Sequence, residues 1–132
     1  MATRHHARMA VVSLLYAFDL GNGNTAEHTD EILEEKKIRN KQKDFALDLY
    51  SGVMSNLDAC DEAIITHLKD WDFKRLGSIE RATLRLATYE ILFGDLDSAV
   101  VINEAVEITK AFGTEQSPKF INGVLDAISK SK

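Results

Sequence analysis

Arg4, His5, His6 and Arg8 stand together in the opening stretch ATRHHAR, and no carboxylate precedes Asp19. Guanidinium and imidazole groups at that spacing can neutralise phosphates or stack on unpaired bases, the chemistry of a small polyanion site. Residues four apart share one side of a helix, so Arg4 and Arg8 present one edge with His5 beside them. Cations in a first helical turn oppose the dipole by roughly 0.3–1 kcal/mol each, so their presence asks for a reason. A second positive cluster, EEKKIRNKQK from Glu34 to Lys43, carries two glutamates and reads as a solvated connection between helices.

Catalytic machinery is hard to find elsewhere. Gly21-Asn22-Gly23 follows a helical stripe rather than a strand, so it is no phosphate loop. No Ser or Cys occupies a nucleophile elbow. His5, His6, His28 and His67 lack zinc-ligand spacing with Cys60, and adjacent helical residues such as His5 and His6 point in different directions. The chain therefore reads as a binding protein with no cofactor and no metal, not as an enzyme.

The elements that must position these residues are helices. At 132 residues and 45% hydrophobic, the chain suits one domain over 1–132 with a real core, and a single proline leaves long helices uninterrupted. Arg4 to Leu20 predicts the first helix, broken by Gly21-Asn22-Gly23; Ala26 to Lys36 predicts a weaker, polar one. Phe45, Leu49 and Val53 make one stripe, and Leu57, Ile64, Ile65 and Leu68 a second in which Asp58 is placed to cap. Asp70-Trp71-Asp72 interrupts that stripe. Ser78 is the expected N-cap of a helix through Leu84 and Ile91 that Gly94-Asp95-Leu96-Asp97 closes. Val101, Ala105, Ile108 and Phe112 follow, stopped by Gly113. Ser117-Pro118 starts the last helix, whose Phe120, Ile121, Val124, Leu125 and Ile128 form one face. Gly123 within that helix predicts a neighbour packed against its missing side chain. The fold class is all-α.

The first helix is also apolar nearly all round. Val11, Leu14, Leu15 and Phe18 form one stripe, and Val12, Tyr16 and Leu20 another, which packs either inside the chain or against a partner.

Across nearly its whole length the chain resembles the bacterial transcription antitermination factor NusB family. The stretches that carry the likeness are RHHARMAVVSLLYAFD, RLGSIERATLRLATYEIL, VVINEAVEITKAFG and KFINGVLD, the last two together at the family's spacing. The resemblance implies about seven helices in two packed helical bundles. It implies binding of boxA RNA through an arginine-rich N-terminal arm, as a heterodimer with NusE, a small-subunit ribosomal protein, joining the RNA polymerase elongation complex on ribosomal RNA operons. By this likeness the RNA-binding residues are Arg4, His5, His6 and Arg8, with Lys119 and Phe120 where the last helix borders the RNA path. The NusE face falls on Tyr16, Leu20 and Glu80. His5 and His6 interrupt the family's arginine run, and histidine as a residue type carries less charge than arginine near pH 7, so dependence on the partner should be greater. Some relatives are homodimers, so self-association, or a protein–protein module without RNA contact, is the alternative.

Net charge is −5, which excludes a general nucleic-acid binder held by its overall field. The longest apolar run, Met9 to Phe18, contains Ser13 and is too short to span a bilayer. One cysteine and no A-x-A cleavage site after that run point to the cytoplasm.

Overall fold

Apolar residues at helical spacing become helices. The computed structural model describes residues 3–21, 29–69, 72–113 and 118–132. These form α1 (Arg4–Asp19), α2 (Thr29–Glu35), α3 (Asn40–Ser55), α4 (Leu57–Thr66), α5 (Ser78–Phe93), α6 (Ser98–Phe112) and α7 (Pro118–Lys130). A 3-10 turn at Phe73–Arg75 precedes α5, and no strand occurs among the described residues. Asn22 and Gly23, the start of the second predicted helix at Ala26, Asp70-Trp71 and the Ser117 cap lie outside the described residues.

Two cores share one helix. Val11, Leu14 and Leu15 of α1 pack with Leu33, Ala46, Leu49 and Val53 of α2 and α3, joined by Ala82 and Leu86 of α5. The other faces of α5, through Leu84, Ala87 and Ile91, pack with Ile64, Val101, Ile121, Leu125 and Ile128 of α4, α6 and α7. Ten of its sixteen residues are buried, which makes α5 the axis of the molecule rather than an amphipathic surface helix. This arrangement gives physical form to the two bundles. The second stripe of α1 divides: Val12 is fully buried, whereas Tyr16 is 37% and Leu20 61% exposed.

Helix ends correct several expectations. Asp58 does not cap α4; Asn56 holds the N-cap position without a side-chain bond, and Asp58 lies in the first turn, where its charge suits the dipole. Ser78 is the first residue of α5 and Gly77 its N-cap. A Cβ at Gly77 would collide with the Glu80 carboxylate folded back over it. The stop at Gly113 is as expected, in the left-handed conformation at φ 65°.

Gly123 overturns the packing expected of it. A Cβ there would meet nothing within 4 Å, so no neighbour occupies its side. The close approach is at Gly52 of α3, where a Cβ would strike the Tyr89 ring of α5. The two glycines should therefore respond oppositely to alanine. Gly123→Ala should raise the thermal midpoint by a few degrees, up to about 1 kcal/mol of recovered helix propensity. Gly52→Ala should lower it, as overpacking typically costs about 1–3 kcal/mol. Calorimetry of both variants checks the assignment, and destabilisation by Gly123→Ala would restore a packed neighbour there.

Candidate nucleic-acid interface

The N-terminal edge is built on a helix start. Thr3 caps α1, accepting the His6 N–H at 3.3 Å through Oγ1, while the Thr3 N–H donates to His6 Nδ1 at 3.2 Å. This is a capping box with histidine in the place usually held by Glu or Gln. Because Nδ1 accepts the Thr3 N–H, the ring's own N–H sits on Nε2. His5 turns the other way and donates from Nδ1 to Glu104 Oε2 of α6 at 2.7 Å. The two imidazoles thus diverge, as adjacent helical positions require.

The arginines also part company. Arg4 is exposed, its guanidinium carbon 4.8 Å from the centroid of the Phe45 ring on α3. Arg8, expected beside it on an RNA-facing edge, is instead interior, at 5% exposure. Its Nε donates to Glu90 Oε2 at 3.0 Å and its Nη2 to Oε1 at 2.9 Å, with the same Phe45 ring 5.1 Å away. The reason is Glu90: a carboxylate buried in α5 requires a cation, and Arg8 is the one the packing supplies. Phe45, Glu90 and Glu104 are the residues the sequence reading missed. Glu90 was visible as the lone charge within the apolar run ATYEILF; Phe45 passed as an ordinary core position.

At the other end of α1, Tyr16 and Leu20 are exposed four residues apart. Glu80 is not an exposed carboxylate but 5% exposed against Gly77. Its neighbour Arg81 holds Asp19 through Nε to Oδ1 at 2.9 Å and Nη2 to Oδ2 at 2.6 Å. Arg85 bridges Asp19 at 3.3 Å and Asp61 of α4 at 2.8 Å. Both guanidiniums lie 5.4 Å from the Phe73 ring. Burial alone would raise the Asp19 carboxyl; the hydrogen bonds from Arg81 and Ser78 and the charges of Arg81 and Arg85 outweigh it and hold it below the ordinary range.

Lys119 is exposed and Phe120 half-buried on α7, which packs against α4, α5 and α6. They line grooves other than the one His6 lines, so they are not joined to the N-terminal edge. Cys60 is buried, its thiol pushed up to about 11 by burial and by Asp61, which suits an inert core residue. Among the described residues no group of three His, Cys, Asp or Glu side chains could hold a metal, and no helix is long and apolar enough to cross a membrane.

Six helices around a shared central one, with a basic edge at one end of α1 and exposed apolar residues at the other, define an all-α protein of two packed helical bundles. The chain belongs to the NusB family, whose profile matches residues 5–130. It is 89% identical over 132 residues to the transcription antitermination protein NusB of Sulfurimonas denitrificans, covering all of both chains. A crystal structure of antitermination factors NusB and NusE in complex with double-stranded RNA superposes with a TM-score of 0.87 at 34% identity, over 98% of this chain and 97% of that one. A NusB structure from T. maritima gives 0.87 at 39% identity, over 98% and 92%.

Two predictions follow from the ion pairs. Glu90→Gln strands Arg8 in the interior and should cost about 3–5 kcal/mol in denaturant unfolding, most of it recovered by Arg8→Met with Glu90→Leu. A loss under about 1 kcal/mol would return Arg8 to the surface inventory. For Asp19, a folded value below the unfolded 3.8 means the unfolded chain binds the proton first as pH falls. The stabilisation is thus present above that value and lost as pH drops through the lower, folded one. Asp19→Asn should lower stability at pH 7 and flatten its acid limb; an acid limb identical to the parent's would show that other carboxylates set it.

Proposed function

We propose that the chain performs its family's transcription antitermination by binding boxA-type RNA together with NusE, and that the complex joins elongating RNA polymerase in the cytoplasm, chiefly on ribosomal RNA operons. The observation that carries this reading is the basic N-terminal edge of an acidic protein, where Arg4 and His6 are exposed and free of carboxylates among the described residues. Phosphate contacts from such an edge set orientation and affinity, while base discrimination comes from elsewhere in the complex. With Arg8 interior, the arm offers fewer cations than its sequence suggests, which supports dependence on NusE.

Tyr16 and Leu20 are the proposed NusE contacts, with Glu80 acting from beneath through the start of α5. Lys119 and Phe120 are proposed as a separate RNA contact on α7. Self-association has one observation in its favour, the exposed Phe93, Leu96 and Val100 near the α5–α6 connection.

Gel shifts with boxA-type RNA, with and without NusE, test the reading. Arg4→Ala should weaken RNA binding across sequences and lower the log–log salt slope by about 0.7, the contribution of one phosphate on a single strand. Leu20→Asp should abolish NusE binding with the helical circular-dichroism signal intact. Parent protein that shifts no RNA even with NusE, or an Arg4→Ala variant with unchanged affinity and slope, would overturn the arm assignment.

A further inference from the structure

The Lys36–Arg39 turn, unremarkable in sequence, converges on the N-terminal edge. A groove of about 590 Å³ is lined by His6 and Met9 of α1, by Lys36, Lys37 and Arg39 between α2 and α3, and by Phe112 at the end of α6. Its cations are available. Lys36 and Lys37 are exposed and have no ion pair among the described residues. Arg39 is paired with Glu34 at 3.0 Å, but both side chains are more than half exposed, so the pair holds it weakly. The floor is apolar and aromatic, formed by Met9 and the half-buried Phe112.

The turn that presents these lysines is ordered by its own backbone bonds. The Lys37 N–H donates to the Glu34 carbonyl at 3.0 Å and the Ile38 N–H to the Leu33 carbonyl at 2.9 Å, the paired bonds of a Schellman cap. Lys37 therefore sits where glycine is favoured, with φ at 60°. The cap seats the next residue, Ile38, in the core at 3% exposure beside Leu33, and leaves the Lys37 side chain in solvent next to Lys36.

We propose that this groove is a second contact for single-stranded RNA, continuous with the arm through His6: Lys36, Lys37 and Arg39 take phosphates along the rim, and a base lies against the Phe112 floor. The combination of a positive track and an aromatic surface is what sequence-tolerant single-strand binding uses. The inference rests on the RNA reading above and extends its footprint from α1 to the α2–α3 turn.

Fluorescence anisotropy of the full chain, with and without NusE, tests it against two labelled probes, boxA-type RNA and oligouridine. Lys36→Gln/Lys37→Gly/Arg39→Gln should weaken both probes about tenfold at low salt and lower the salt slope by about 2, the value for three lost contacts. Lys74→Gln/Arg75→Gln/Lys132→Gln, which removes equal charge away from the groove, should move neither nearly as far. Lys37→Gly alone should weaken RNA about two- to fivefold while leaving the thermal midpoint the same or higher, since glycine relieves the cap. That opposition of stability and binding is not expected of a merely structural turn.

If the triple variant keeps parental affinity and slope while Arg4→Ala weakens binding, the groove is excluded and the arm stands. Weakened NusE affinity with unchanged RNA affinity would make the turn a protein contact and overturn the proposal. A parent that binds neither probe, alone or with NusE, overturns this inference together with the RNA reading.

Discussion

A helix buried on every side cannot carry an unpaired charge, and α5 carries several. Burying a lone charge costs several kcal/mol, so each charge on such a helix dictates what must lie against it. Glu90 near its end takes Arg8 from the start of α1; Arg81 and Arg85 near its beginning take Asp19 from the end of α1. The two helices are thereby fixed antiparallel and clamped at both ends, with the apolar contact of Val11, Leu14 and Leu15 between the clamps. Such pairs add little net stability over well-packed apolar replacements, but they penalise a wrong register heavily, because a shifted helix would strand Arg8, Glu90, Asp19 and Arg81 at once.

This clamp sorts the functional surface. Side chains of α1 that satisfy α5 are withdrawn from solvent, and what is left projects at the two ends: Arg4 and His6 at one, Tyr16 and Leu20 at the other. The exposed basic residues and the exposed apolar residues are thus held apart by the length of one helix and carried on a single element. Phe45 extends the order outward, its ring lying against Arg8 inside and Arg4 outside. Resting the exposed guanidinium on a fixed ring reduces the freedom it must lose on binding.

Periodicity and breakers, being local signals, made the helices legible: the α7 stripe of Ile121, Val124, Leu125 and Ile128 and the left-handed stop at Gly113 both appear as the residues imply. Caps were less legible, because Ser78 and Asp58 are good capping types whose competitors, Gly77 and Asn56, win through the fold-back of Glu80 and the short α3–α4 junction. The site was legible as a cluster but not as roles. Arg4 and Arg8 are equivalent in sequence spacing, and only a carboxylate 82 residues on separates the structural arginine from the exposed one. Likewise, the cations of the α2–α3 turn gain meaning only when packing brings them to His6.

The same logic answers why histidines interrupt the basic stretch. The third residue of a capped helix ordinarily carries Glu or Gln to reach back to the cap backbone. A glutamate at that position would set a negative charge beside Arg4 and cancel the positive character of the edge. His6 performs the reach-back through a lone pair, accepting the Thr3 N–H without adding an anion. His5, one position earlier, turns to Glu104 and ties α1 to α6 on the side Arg4 does not use. The imidazoles are thus less a diluted arginine run than the means of anchoring it. They fix the first turn of α1 at both of its flanks, so that the charge remaining there is presented from an ordered backbone rather than from a frayed end.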